Sequence, residues 1–166
     1  MTILRTDRLV LRPLRTDDAD AVAEAVSDWE VARWVSSVPH PYSRSDAVMW
    51  IVFSDDDGRW GIKQDGRLVG AITTGAQLGY WLRRDAWGRG IMTEAGKAVA
   101  AEWFADPEMD ALRSSYYLGN DGSRRVLEKL GFVDDGPVRI ASAALGREVD
   151  GRAMVLTRRA WAGQIR

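Results

Sequence analysis

At 166 residues, with 23 Lys and Arg against 24 Asp and Glu and no cysteine, the chain has the length of one domain, taken as residues 1–166. Its near-neutral charge argues against nucleic acid as a partner, and it has neither a disulfide framework, a thiol nucleophile nor a thiolate metal site. One histidine, His40, leaves no basis for a His-rich metal centre; with no signal-like N-terminus and no apolar run near the roughly 18 residues of a membrane span, a cytoplasmic protein without a membrane partner is expected.

In chain order, residues 8–14 alternate as a strand, Leu9 and Leu11 to one side and Val10 and Arg12 to the other. Thr16 is placed to cap a helix whose first turn holds Asp17 and Asp18 and whose apolar stripe is Ala19, Val22, Ala23 and Val26. A short helix follows over 30–35. Pro39-His40-Pro41 forces a loop, and Ser43 or Ser45 caps a third helix that ends at Asp55-Asp56-Asp57-Gly58. Strands 59–64 and 67–74 flank Asp65-Gly66, a strong hairpin signal. Residues 77–83 form another strand, 93–105 a helix stopped by Asp106-Pro107, and 112–118 a strand. Asn120 or Asp121 caps a helix over 123–130 that Gly131 ends. Residues 132–140 and 149–157 close the chain as a strand pair. The order reads as a mixed α/β sheet with one strand-helix-strand crossover in its middle.

That crossover carries the most informative run, Trp87-Gly88-Arg89-Gly90-Ile91-Met92-Thr93. Two glycines two apart at a strand-to-helix turn let backbone N–H groups converge, and the helix adds the positive end of its dipole. Such a turn holds phosphate. Alone, Gly88-Arg89-Gly90 is equally an ordinary turn; its setting between a strand and a helix, with Arg83, Arg84 and Arg89 nearby, favours the anion site. Eight tryptophans are many for this length. Trp29, Trp34, Tyr42 and Trp50 fall in the early helical segments, as core or as the lining of a binding surface.

Four patches in register resemble the GNAT superfamily of acetyl-CoA-dependent N-acetyltransferases, in the branch of the RimJ/RimL type. They are Thr6-Asp7-Arg8-Leu9-Val10-Leu11-Arg12-Pro13-Leu14; Gly79-Tyr80-Trp81-Leu82 through Trp87-Gly88-Arg89-Gly90 to Thr93-Glu94-Ala95; Asn120 and Ser123 through Val126-Leu127-Glu128-Lys129-Leu130-Gly131-Phe132; and Gly146 and Asp150 with Arg158-Arg159-Ala160-Trp161 as the closing strand. The resemblance implies the GNAT fold, a twisted mixed sheet flanked by helices whose strands splay at the cofactor cleft between 77–83 and 112–118. It implies acetyl-CoA as donor and no metal.

The resemblance also implies residue roles. Backbone groups of Tyr80, Trp81 and Leu82 bond the pantetheine arm. The pyrophosphate lies on Trp87, Gly88, Arg89, Gly90, Ile91, Met92 and Thr93. Because the backbone does this work, Trp87 can replace the family's usual Gln or Arg and Met92 its second Gly or Ala. Asn120 reaches the pantetheine region, besides capping a helix. Ser123 is the candidate catalytic acid for the leaving thiolate, the superfamily's frequent tyrosine being Leu127 here. The branch's glutamate base falls near Ser142, which cannot serve, and no base is assigned. The acceptor is an amine, on a protein or peptide N-terminus or on a small molecule such as an aminoglycoside, polyamine or amino-acid analogue. A non-catalytic acyl-CoA sensor is the alternative of another class, and a homodimer is an arrangement common in the family.

Overall fold

The early helices form because their apolar residues share one face. In the computed structural model, which describes residues 2–53 and 58–164, α1 (Ala19–Ser27), α2 (Trp29–Ala32) and α3 (Arg44–Phe53) turn Ala19, Val22, Val26, Val31, Ala32 and Ala47 inward. Thr16 does not cap α1: residues 16–18 make a separate 3-10 turn, and Asp18 is drawn inward by the guanidinium of Arg12, 2.8 Å away. Ser43 does cap α3, its hydroxyl accepting from the Asp46 amide at 3.1 Å while the Asp46 carboxylate accepts from the Ser43 amide at 2.7 Å. Asp55-Asp56-Asp57 lie outside the described residues.

Among the described residues, eight strands make two antiparallel sheets rather than one. The first has the order β1 (Leu4–Arg5), β2 (Leu9–Pro13), β3 (Arg59–Gln64), β4 (Arg67–Thr73), β5 (Gly79–Leu82). The β3–β4 turn holds Asp65 and Gly66 at φ 50° and 78°, the left-handed pair that a two-residue hairpin needs. The second sheet has the order β6 (Ala111–Tyr117), β8 (Arg147–Thr157), β7 (Val133–Ser142). Residues 158–161 do not continue a closing strand; they open a final helix, α6 (Arg158–Gln164), where the Arg158 guanidinium bonds the carbonyls of Phe104 and Met109. β1 and α6 are too short or too polar to announce themselves by periodicity.

The expected crossover is present. It leaves β5, passes through α4 (Ile91–Ala105) and returns along β6. Among the described residues, the strands of the two sheets are joined by a parallel bridge, Leu78 to Ser114. There the Leu78 amide donates to the Arg113 carbonyl at 2.7 Å and the Ser114 hydroxyl to the Leu78 carbonyl at 2.8 Å. Beyond that point β5 and β6 part. α4 and α5 (Asp121–Leu130) pack with both sheets in one core that includes Leu9, Leu11, Ile62, Ile72, Val99, Leu112, Leu127 and Leu156. The opposite face of β4, through Leu68 and Ala71, packs with Trp81 on α1 and α3. The divergence of β5 and β6 is thus fixed from both sides, and it opens toward the carboxyl ends of two parallel strands, the usual place for a ligand in an α/β sheet.

Candidate functional site

Beyond Leu78 the open edge of β5 must expose polar backbone. Arg83 donates its amide to the Val69 carbonyl at 2.8 Å, and the ladder pairs Trp81 with Ala71 and Leu82 with Gly70. Alternation in an antiparallel pair then gives the backbone bonds of Trp81 to Ala71 and turns those of Tyr80 and Leu82 to the opening. Trp81, expected to offer its backbone to a ligand, has that backbone paired with Ala71, and the residue is among those lining the cavity. The Leu82 carbonyl accepts a bond from the indole Nε1 of Trp87 at 3.0 Å, which leaves it a second lone pair.

The phosphate turn is shorter than the sequence suggests, because α4 begins at Ile91. Ile91, Met92 and Thr93 are its first turn, so their amides have no intrahelical acceptor. Gly90 is the N-cap, at φ 73° and without a capping side chain, and Gly88 has φ 70°. Those values suit glycine and aim the free N–H groups outward. Met92 points its side chain into the core, 3 % exposed, so its size does not narrow the turn. Arg89 does not line the cavity; its carbonyl is held from behind by Arg8 Nη1 at 3.1 Å.

Arg8 belongs to a tie that the sequence alone does not announce. Glu94 accepts from the Thr6 hydroxyl at 2.5 Å, from the Arg8 amide at 3.0 Å and from Arg8 Nε at 2.6 Å. Burial works to raise the Glu94 pKa, but these hydrogen bonds and the Arg8 charge outweigh it and hold the carboxyl below its ordinary value. The charge of Glu94, which would oppose an anion at the start of α4, is thereby neutralised on the spot.

Across the opening, Asn120 caps α5 by accepting from the Ser123 amide at 3.1 Å. Its Nδ2 makes no hydrogen bond among the described residues, and the residue lines the cavity. The Ser123 hydroxyl lies 2.9 Å from the Tyr80 hydroxyl. Tyr80, expected to act through its backbone, therefore also brings a phenol to the candidate acid. Burial pushes that phenol's pKa well up, against the opposing pull of Ser123. Its strand position carried no signal of this pairing, which depends on how α5 crosses β5.

One cavity of about 910 Å³ joins these groups. Every residue expected at the cofactor or acid position lines it except Arg89. Arg83 is not available to a phosphate, being paired with Glu24 at 2.9 Å, and Arg124 is paired with Glu128 at 3.0 Å. Arg125 and Lys129 do line the cavity. Trp34 and Trp50 stand at its other arm, whereas Trp29 packs edge-on to His40 at 5.1 Å and Tyr42 lines a smaller neighbouring pocket of about 220 Å³. Among the described residues no helix is long and apolar enough to cross a membrane, and no His, Cys, Asp and Glu cluster could hold a metal ion.

Known proteins agree with this geometry. A family model described as "Acetyltransferase (GNAT) domain" matches residues 8–133. "Putative ribosomal N-acetyltransferase YdaF" of Bacillus subtilis (strain 168) is 26% identical over 175 residues, covering 95% of this chain and 96% of that one. Two solved structures superpose closely. One is RimL, a ribosomal L7/L12 alpha-N-protein acetyltransferase in complex with coenzyme A, at a TM-score of 0.83, 16% identity and coverage of 96% and 99%. The other is the microcin C7 self immunity acetyltransferase MccE in complex with acetyl-CoA and AMP, at 0.81, 18% and 92% and 93%. At such identities these two structures speak for the fold.

Proposed function

Since the chain belongs to the GNAT acetyltransferase family, and is thereby an enzyme that moves an acetyl group from acetyl-CoA to an amine, we propose that its acceptor is the α-amine of a peptide or protein N-terminus. The parting of β5 from β6 beside the uncapped start of α4 carries the reading of where donor and acceptor meet. The amides of Ile91, Met92 and Thr93 receive the pyrophosphate, with the helix dipole behind them. The open edge at Tyr80 and Leu82 and the free Nδ2 of Asn120 receive the pantetheine, and Arg125 and Lys129 the remaining phosphate. The names of YdaF and RimL, both RimJ/RimL-like, support a peptide amine as acceptor, and a cytoplasmic site of action goes with it.

In this arrangement a neutral amine attacks the thioester carbonyl. The Leu82 amide, directed into the opening, stabilises the oxyanion. The Ser123 hydroxyl, backed by Tyr80, hydrogen-bonds the departing sulfur and relays a proton to it. Thiol release from acetyl-CoA, measured over peptides with free or formylated N-termini and over spermidine and kanamycin, tests the proposal. Free peptides are expected to turn over and blocked ones not, with Ser123→Ala lowering kcat about 10- to 100-fold at a little-changed KM for acetyl-CoA. Turnover confined to the two small amines would overturn the peptide reading, and an unaltered kcat in Ser123→Ala would remove the serine from the chemistry.

A further inference from the structure

The hydrogen bond between Tyr80 and Ser123 has a direction, and their surroundings decide it. Tyr80 lies on β5 opposite Ile72, and its ring packs against the core that α4 and α5 share. Burial raises the pKa of the phenol, against the opposing pull of Ser123, so the hydroxyl keeps its proton at neutral pH. That hydrogen has to be met inside the protein, because a buried donor without an acceptor is costly. Its partners among the described residues are both on Ser123: Oγ at 2.9 Å and the carbonyl oxygen at 3.3 Å. An O–H···O bond spans about 2.5–3.0 Å, so Oγ is the acceptor that fits.

Ser123 is held from the other side. It sits in the first turn of α5, half-buried on the cavity wall, and its amide donates to Asn120 Oδ1 at 3.1 Å. Its hydroxyl has no hydrogen-bond partner but Tyr80 among the described residues. With the phenol donating, one lone pair of Oγ is occupied, and the serine's own hydrogen is left to turn into the cavity. The opposite order, with the serine donating to Tyr80, would leave the phenol hydrogen only the 3.3 Å contact to the carbonyl. The half-buried partner can meet its hydrogen with whatever fills the cavity; the phenol in the core cannot.

Resting on the transferase reading above, we propose that Tyr80 is a positioning residue: its phenol donates to Ser123 Oγ, turns the serine hydrogen toward the leaving sulfur and keeps its own proton throughout. A thiolate, whose thiol has an ordinary pKa of about 8.5, is too weak a base to draw a proton from a phenol raised above its own ordinary value of about 10. The relay therefore begins at the acceptor and not at Tyr80. As the C–N bond forms and the C–S bond breaks, the nitrogen gives one proton to the remaining lone pair of Oγ, directly or through one water. The serine's own hydrogen passes to sulfur. Neutral amine and acetyl-CoA become amide and CoA thiol, with Ser123 and Tyr80 both left as hydroxyls.

One test needs no acceptor. CoA labelled with carbon-13 beside its sulfur is bound to the protein, and its thiol is titrated by NMR. Ser123→Ala should raise the pKa of the bound thiol by about one unit, the loss of one hydrogen bond to a thiolate. Tyr80→Phe should raise it about half as far, and the double variant no further than Ser123→Ala. A second test uses the peptide that turns over best in the thiol-release assay. Tyr80→Phe should lower kcat about 3- to 10-fold at a little-changed KM for acetyl-CoA, leave the pH profile of kcat in place, and add nothing in the Ser123→Ala background. An unaltered thiol pKa in either single variant would overturn the proposal. So would a Tyr80→Phe effect on kcat that is as large without Ser123 as with it, or the disappearance of a basic limb from the pH profile. Turnover with no acceptor at all would strike the transferase reading instead, while the thiol titration still decides on the pair.

Discussion

At the proposed donor end the cavity offers mainly backbone, the amides of Ile91, Met92 and Thr93 and the open edge of β5 at Tyr80 and Leu82, with Asn120, Arg125 and Lys129 beside it. At the acceptor arm it is walled by side chains gathered from α2, α3, β6 and β7, among them Val31, Trp50, Tyr117 and Ile140. Backbone donors need a particular chain conformation and tolerate many side chains, which is how Trp87 and Met92 stand where other residues are usual. Side-chain walls need no special conformation and change with every substitution. The two ends should therefore fail separately, and the donor end most severely through its backbone.

Gly90→Val is the largest test of that difference. A β-branched residue at φ 73° costs on the order of 1–3 kcal/mol, relieved only by reshaping the turn that aims the amides. Acetyl-CoA affinity, measured by calorimetry, is expected to fall about 10- to 100-fold, while binding of the acceptor peptide to the free protein stays as it is. Loss of both affinities together would mean that the two ends are one unit.

The same contrast decides what could be read from the sequence. Gly88 and Gly90 lie within a few residues of the helix they open, and the Asp65-Gly66 hairpin and the Asn120 cap are equally local. Each follows from short-range backbone rules and appears in the fold as read, with α4 starting two residues early. What was not legible depends on contacts across the chain. The split into two sheets hangs on one bridge, Leu78 to Ser114. The Tyr80–Ser123 pair joins residues 43 apart. No periodicity records such meetings. The Arg158-Arg159-Ala160-Trp161 patch resembles the family's closing strand; in the fold, Arg158 leaves β8 and bonds the Phe104 carbonyl near the end of α4.

A smaller effect should come from Glu94, which joins Thr6 and Arg8 to the start of α4. Glu94→Gln removes a charge-assisted set of hydrogen bonds worth roughly 1–2 kcal/mol, or about 3–6 °C in Tm for a chain of this length. Because the folded pKa is held below the ordinary carboxylate value, the contribution is fully present above about pH 4.3 and is lost as pH falls through the folded value. The Tm gap between wild type and Glu94→Gln should thus be widest near neutrality and close on acidification. A gap that persists in acid would show that geometry rather than charge holds the turn. Since Arg8 also holds the Arg89 carbonyl, acetyl-CoA affinity should fall with Tm, and amine affinity should not.

Asn120 gives the finest division, because its two amide atoms face different tasks. Oδ1 accepts from the Ser123 amide and caps α5, while Nδ2, which makes no hydrogen bond among the described residues, is the atom we propose faces the donor. Asn120→Asp keeps an oxygen at the cap, where a negative charge also suits the helix dipole, and deletes the N–H donor. Tm should hold or rise slightly, while acetyl-CoA affinity falls about 3-fold, the loss of one modest hydrogen bond. Part of that fall is repulsion between the new carboxylate and the CoA phosphates, so it should shrink as salt is raised. The remainder at high salt measures the lost N–H. If nothing remains, Asn120 serves the donor only by fixing α5, and the side-chain contribution at that end reduces to Arg125 and Lys129, with the backbone carrying the rest.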